Sequence, residues 1–178
     1  MVCTGNICRS PMAEAFLRRR LDGIGEEATV HSAGLLSDGL PATGAGVAAL
    51  RNLGVDISAH RSRRLSSALV EPADLVLGMA REHVRASVLM APVAWPRAFT
   101  LKELVRRGDE RGPRAPGQPF EEWLAKVHAG RGTSDLAGFS PDDDVADPFG
   151  LDADYYRGTA KELDDLVRRF VELAWGGN

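Results

Sequence analysis

Short apolar runs alternate along this chain with longer stretches in which apolar residues recur every three or four positions. Runs of the first kind suit strands buried on both faces of a sheet, and stretches of the second kind suit amphipathic helices. The alternation predicts an α/β fold with a parallel sheet. Helices are expected over residues 11–22, 43–54, 81–90, 100–107, 120–128 and 151–175. Thr43 caps the second, Gly54 stops it, and Gly108 ends the fourth. In the last helix Leu163, Leu166, Val167, Phe170, Val171 and Ala174 repeat at helical spacing. Strands are expected at Thr29–His31, Ala73–Met79 and Arg97–Phe99. Residues 108–118 read as a loop rich in Gly, Pro and charge, and 130–144 as another rich in Gly and Asp. At 178 residues the chain suits one domain, 1–178, with a loop-and-helix elaboration over about 108–144.

The segment Val2-Cys3-Thr4-Gly5-Asn6-Ile7-Cys8-Arg9-Ser10-Pro11 adds chemistry to this scaffold. Five residues separate the Cys3 thiol from the Arg9 guanidinium. That is enough for the backbone of Thr4, Gly5, Asn6, Ile7 and Cys8 to curl its N–H groups around one tetrahedral anion. Gly5 permits the bend, and Asn6 tolerates a left-handed turn. Arg9 offers a planar fork matched to two phosphate oxygens. With Ser10 as cap and Pro11 in the first helical position, the loop ends on a helix N-terminus, where anions are favoured. Such surroundings favour a thiolate, and a thiolate beneath a phosphate cradle is a nucleophile aimed at phosphorus. The plainer reading is a pair of buried filler cysteines. It leaves unexplained why Gly, Asn, Ser and Pro stand where such a loop needs them.

Asp147-Pro148-Phe149 has two readings. It follows the acidic run Asp142-Asp143-Asp144 and can be the end of a solvated loop. Alternatively Asp147 is a proton donor, stiffened by Pro148, with Phe149 as an apolar wall on which an aryl group stacks.

Together these segments resemble the low-molecular-weight protein tyrosine phosphatase family. The loop and Asp147-Pro148-Phe149-Gly150 are the specific parts. His31-Ser32-Ala33-Gly34, Ser58-Ala59-His60-Arg61-Ser62-Arg63-Arg64-Leu65 and Asp74-Leu75-Val76-Leu77-Gly78-Met79 are supportive. The resemblance implies a flavodoxin-like domain with a four-stranded parallel sheet flanked by helices. It implies hydrolysis of phosphotyrosine in proteins through a phosphocysteine, with Cys3 as nucleophile and Asp147 as general acid. Arg9, Thr4, Gly5, Asn6, Ile7, Cys8 and Ser10 would form the phosphate site, with the Ser10 hydroxyl on the Cys3 thiolate. Asn6, Ser32 and His60 would brace the loop, and Phe149 would wall the substrate. No metal and no organic cofactor is implied. The implied partners are a phosphorylated protein and a cognate protein kinase system. Cys8, across the loop from Cys3, is either a reversible disulfide partner or a packed residue.

Several features refine the resemblance. The family's first strand takes about six residues before the cysteine, whereas Met1-Val2 offers two, so a truncated central strand and an upstream start are expected. Residues 35–39 hold no aromatic, and Met79 is followed by Ala80. With Phe99-Thr100-Leu101-Lys102-Glu103 and Tyr155-Tyr156, these resemble the bacterial branch that includes protein arginine phosphatases. That branch tends to carry Thr where this chain has Ile7, which favours phosphotyrosine over phosphoarginine. An arsenate reductase that relays a disulfide needs cysteines outside the loop, and both cysteines lie inside it. A reductase using a small thiol, and a noncatalytic anion-binding module, remain as alternatives.

Composition removes other classes. The net charge of −3 disfavours nonspecific nucleic-acid binding. No apolar stretch approaches about 18 residues, so no membrane span is expected. The loop begins at residue 3, so no leader is expected and a cytoplasmic enzyme fits. Arg18-Arg19-Arg20 reads as a solvated helix face, and Arg61 to Arg64 as a second solvated face or, alternatively, a frame for an anionic substrate.

Overall fold

The computed structural model describes residues 1–36 and 38–176. Four strands pair in parallel in the order β2-β1-β3-β4: β1 (Val2–Cys3), β2 (Ala33–Gly34), β3 (Val76–Gly78) and β4 (Ala98–Thr100). The helices are α1 (Arg9–Ile24), α2 (Gly44–Arg51), α3 (Ser67–Val70), α4 (Arg81–Met90), α5 (Leu101–Arg111), α6 (Phe120–His128) and α7 (Ala153–Trp175). Tight 3₁₀ turns cover Pro92–Arg97 and Thr133–Leu136.

Alternation along the strands sorts the core into two halves. Cys3, Leu77 and Phe99 face one cluster, built with Phe16 of α1, Leu104 of α5, and Leu163, Val167 and Phe170 of α7. Val2, Ala33, Val76 and Ala98 face the other, with Val84 of α4 and Ala91 and Ala94 beyond it. A sheet covered on both faces explains why its strands read as continuous apolar runs. Each of the large side chains that α7 buries is worth about 1.5–3 kcal/mol, so α7 is the main clamp on the first face.

β1 is two residues long and still lies at the centre of the sheet. Ala33 N–H donates to Met1 C=O, and Met79 N–H donates to Val2 C=O, so the short strand joins both neighbours.

Several expectations need correction. The second strand is Ala33–Gly34, not Thr29–His31. Register explains the shift: the carbonyls of Met1 and Cys3 accept from Ala33 and Leu35, while Val30 C=O is taken by the Arg18 guanidinium. α5 does not stop at Gly108 but runs on to Arg111. A Cβ on Gly108 would stand 2.9 Å from Leu173, so glycine serves there for close packing against α7. α2 ends at Arg51, short of the expected 54, although Thr43 caps it and Gly54 turns the chain out at φ +74°. The run Arg18-Arg19-Arg20 does lie at the surface, with Arg18 and Arg19 exposed, but it is tied down by its contacts. Arg18 pairs with Glu14, Arg19 reaches Leu53 C=O, and Arg20 pairs with Asp164 of α7. α3 and the 3₁₀ turns are too short to leave a periodic signal.

Candidate active site

β2 and β3 flank β1 on opposite sides, so sequence order reverses at the carboxyl end of β1. Crevices in open α/β sheets form at such points. Residues 4–8 leave β1 there and turn directly into α1.

Asn6 organises the turn. It takes φ +51°, the left-handed conformation expected of it, whereas Gly5 does not have a positive φ. Asn6 is fully buried, and every polar group it owns is used. Its backbone N–H donates to Cys3 Sγ at 3.2 Å. Its amide nitrogen donates to Ser10 Oγ at 2.9 Å and Ser32 Oγ at 2.7 Å. Its Oδ1 accepts from Arg63 N–H at 2.8 Å, and its C=O lies 2.7 Å from His60 Nε2. Such a set of bonds offsets the roughly 1–2 kcal/mol that a left-handed residue costs. The basic run 61–64 therefore supplies a loop brace at Arg63, which the sequence reading as a solvated face missed; its guanidinium also donates to Ser32 C=O.

Gly34 lets β2 approach. A Cβ there would stand 2.7 Å from Asn6 N and 2.9 Å from Asn6 Cβ, which no side chain tolerates. Ser32-Ala33-Gly34 thus supplies a hydrogen bond, a strand residue and a clearance in succession.

Cys3 Sγ lies 3.0 Å from Ser10 Oγ, both buried. Ser10 already accepts from Asn6, which leaves its own proton for the sulfur. Ser10 is therefore not the helix cap. α1 starts at Arg9, after Cys8, with no side chain on its first-turn amides. Pro11 falls in the third helical position instead of the first. The backbone N–H groups of Gly5, Ile7, Cys8 and Arg9 make no hydrogen bond among the described residues. Ile7 C=O accepts from Thr43 N–H at 2.9 Å.

Arg9 is 4% exposed. Its Nη1 donates to Val145 C=O at 3.1 Å, and its Nη2 donates to Thr4 Oγ1 at 3.3 Å and to Asp147 Oδ2 at 2.5 Å. Its Nε is buried and has no partner among the described residues. Asp147 is half-exposed and accepts from Phe149 N–H at 3.1 Å through Oδ1. The Phe149 ring is 63% exposed.

The acidic run before Asp147 is only partly solvated, so it is not simply the solvated loop of the plainer reading. Asp143 and Asp144 are buried. Asp143 accepts from Arg81 and Arg106. Burial alone would push its carboxyl up, but these guanidinium bonds hold it below the ordinary aspartate value. Asp144 accepts from Arg81 N–H at 2.7 Å at the start of α4, and Val145 N–H donates to Met79 C=O. The stretch carrying Asp147 is thereby strapped to the end of β3.

Two further groups lie behind the loop. Cys8 is buried, and burial raises its thiol pKa, with Tyr156 and Thr43 hydrogen-bonded beside it. Its sulfur lies 3.8 Å from Thr43 Oγ1. Neither cysteine is in a disulfide. His83 of α4 is fully buried, 3.0 Å from Thr4 Oγ1. Burial, then the nearby Arg9 charge, lowers its pKa to about 3. Nothing along the chain singles out His83, since one histidine in a polar helical stretch looks like any other. Among the described residues, no three His, Cys, Asp or Glu side chains gather where a metal ion could sit, and no helix is long and apolar enough to cross a membrane.

Every residue expected at the site is bonded into or adjoins this constellation, Phe149 through its backbone N–H while its side chain is exposed. Chemically it offers a buried sulfur, unpaired amides and a guanidinium edge suited to an oxyanion, with a half-exposed carboxylate at the mouth.

Known proteins are similar to this chain in sequence and fold. A family model described as low molecular weight phosphotyrosine protein phosphatase matches residues 1–127. A protein of Ralstonia solanacearum named as a probable low molecular weight protein-tyrosine-phosphatase, EpsP, is 37% identical over 131 residues, 73% of this chain and 88% of its own length. A protein-arginine-phosphatase of Bacillus subtilis is 32% identical over 172 residues, 96% of this chain and 92% of its own. The crystal structure of a low molecular weight protein tyrosine phosphatase from T. tengcongensis superposes with a TM-score of 0.72 at 33% identity, covering 96% of this chain and 95% of that one.

Proposed function

The chain belongs to the low molecular weight phosphotyrosine protein phosphatase family, and from that membership we propose that it hydrolyses phosphotyrosine in proteins through a phosphocysteine on Cys3. One observation carries the reading: the Cys3 sulfur, receiving the Asn6 N–H and facing the Ser10 hydroxyl, lies in a loop whose remaining amides and Arg9 Nε have no partner among the described residues.

The phosphoryl group seats with its three equatorial oxygens on the loop amides and the Arg9 fork. Cys3 Sγ attacks phosphorus in line, and the bond from phosphorus to the tyrosyl oxygen breaks as the S–P bond forms. Asp147 protonates the departing oxygen. Water then attacks phosphorus, Asp147 takes its proton, and the S–P bond breaks to return thiolate and orthophosphate. Ser10 and the Asn6 N–H stabilise the sulfur anion at both ends of the cycle. The site needs no metal, because Arg9 and the amides supply the positive field.

Arg9 and Asp147 are in direct contact, and a carboxylate accepting from Arg9 cannot also protonate a leaving group. Substrate must take Asp147's place on the guanidinium, which frees the carboxylate for acid catalysis. Charge therefore couples binding to readiness of the acid.

The substrate class follows from Ile7. It places an apolar side chain in the loop, which suits an aryl phosphate better than a phosphoguanidinium. The reading extends to a cytoplasmic enzyme that reverses a cognate protein kinase. Hydrolysis of p-nitrophenyl phosphate tests the core: wild type releases phosphate, and Cys3→Ser lowers the rate by at least about 10⁴-fold with the fold intact. No release by wild type overturns it. Phosphotyrosine and phosphoarginine peptides assayed in parallel test the class, with Ile7→Thr expected to move the balance toward phosphoarginine. A wild type that already prefers phosphoarginine reverses the assignment.

A further inference from the structure

His83 has no place in the mechanism above, yet it is the most deeply buried ionisable ring beside the loop. It stands in the first turn of α4, which follows β3, while Thr4 leaves the adjacent β1. His83 Nε2 lies 3.0 Å from Thr4 Oγ1 and 3.4 Å from Glu82 Oε1. Its Nδ1 has no partner among the described residues.

The Glu82 carboxylate near Nε2 only accepts, which favours the tautomer with its hydrogen on Nε2, facing Thr4, over the one with it on Nδ1 toward Ala80 C=O. That leaves Nδ1 as a bare lone pair, which costs less when unpaired than an N–H would. Arg9 only donates, and its Nη2 points at the same threonine oxygen from 3.3 Å. Thr4 Oγ1 therefore accepts two N–H groups, and its own O–H is free to turn toward the loop interior. An apolar side chain would fill the space of His83 without a buried unpaired nitrogen, which costs about 1–3 kcal/mol.

We propose that His83 is a positioning residue, which aims the Thr4 hydroxyl so that Thr4 both holds the Arg9 Nη2 edge and donates its O–H to the phosphoryl oxygen seated beside Arg9. Thr4 is then a substrate-binding group, and His83 acts through it. The contact matters most when Asp147 leaves Arg9. At that moment Val145 C=O and Thr4 Oγ1 are the remaining anchors on the guanidinium nitrogens. This inference rests on the phosphatase reading for its substrate, but the oxyanion site it describes can be measured without turnover.

The test uses four single variants: Thr4→Val, Thr4→Ser, His83→Leu and His83→Gln. Glutamine places an amide N–H near the position of Nε2, and serine keeps the hydroxyl. Tungstate affinity by calorimetry reads the oxyanion site, and kcat and KM on p-nitrophenyl phosphate read turnover. Thr4→Val and His83→Leu should each weaken tungstate binding and lower kcat/KM by about 10- to 30-fold, the loss of one hydrogen bond to a charged group. Thr4→Ser and His83→Gln should recover most of that loss. The double variant Thr4→Val/His83→Leu should be no worse than Thr4→Val, because His83 acts only through the hydroxyl. Unchanged affinity in Thr4→Val overturns the inference, and so does a double variant in which the two losses multiply. If His83→Leu fails to fold, Thr4→Val with and without His83→Gln gives the same comparison. A wild type that binds tungstate but hydrolyses no aryl phosphate would defeat the phosphatase reading while leaving the calorimetric comparison to decide this one.

Discussion

Arg9 and Arg131 are both buried, and they are finished in opposite ways. Arg131 is closed on every side. Its Nε and Nη2 reach the two oxygens of Glu103 at 2.7 and 2.9 Å, and its Nη1 reaches Trp95 C=O at 3.4 Å and His128 Nδ1 at 3.0 Å. The rings of Trp95 and Phe99 lie over its guanidinium at 4.2 and 4.1 Å. His128 accepts as a neutral ring, its pKa lowered by burial and then by the charges of Arg131 and Arg107. Among the described residues Arg9 keeps a buried Nε with no partner, and the one carboxylate it meets, Asp147, is half-exposed on a connecting segment. A guanidinium whose partners are all rigid and internal is part of the fold. One whose only anion can be exchanged, beside unpaired amides, is prepared for an anion from outside.

The sharpest way to break this contrast is to delete each arginine in turn. Arg9→Ala should lower kcat/KM on p-nitrophenyl phosphate by about 10⁴-fold, the scale of a guanidinium acting on a transferring phosphoryl group. Its thermal midpoint should barely move, because removing an incompletely paired buried charge relieves as much as it loses. Arg131→Ala should do the reverse. It leaves the Glu103 carboxylate buried and alone, which costs about 3–5 kcal/mol, while kcat/KM stays within about twofold. Denaturant midpoints and steady-state rates on both variants decide the matter. A large fall in stability for Arg9→Ala, or in catalysis for Arg131→Ala, would erase the distinction.

The two arginines also mark how far the sequence could be read. Arg9 was legible because its function depends on local spacing: Cys3, Asn6 and Ser10 lie within one short turn, and few residue types can occupy those places. Ser32 and His60 came only with the resemblance, since each reaches Asn6 across a long interval of chain. Arg63, Gly34 and His83 act through backbone contacts, clearance and burial, none of which leaves a pattern along the chain. The Arg131–Glu103 pair was invisible for the same reason: one residue lies in a Gly-rich connection and the other in the first turn of α5. The misplaced second strand and the helix that passes through Gly108 share a cause. In both, a tertiary partner overrode a local signal: Met1 and Cys3 C=O for the strand, Leu173 for the glycine.

An intermediate effect comes from acid. Burial, then Arg9, lowers the His83 pKa from 6.5 to about 3, so the folded protein refuses a proton that the unfolded chain accepts. Stability should therefore fall as pH drops below 6.5, by up to about 1.4 kcal/mol per pH unit, until the folded ring also titrates near 3. Asp143 also acts in the destabilising direction on acidification, but only below the ordinary aspartate value of 3.8, because Arg81 and Arg106 hold it ionised. Urea midpoints measured between pH 7 and 4 should thus slope with pH in wild type and slope less in His83→Gln. Equal slopes would mean that the ring beside Arg9 is not held neutral by the fold.

The smallest effect belongs to Phe149, whose ring is 63% exposed at the mouth of the open arginine's site. Its backbone N–H, not its ring, meets Asp147 Oδ1 at 3.1 Å, so deleting the ring leaves that bond available. Phe149→Ala should leave the thermal midpoint and kcat on p-nitrophenyl phosphate unchanged. KM for a phosphotyrosine peptide should rise about threefold, the scale of one exposed aromatic contact. An unchanged KM would remove Phe149 from the substrate wall. A fall in kcat would show instead that the ring sets the turn on which Asp147 stands, placing Phe149 with the closed, structural side of the molecule.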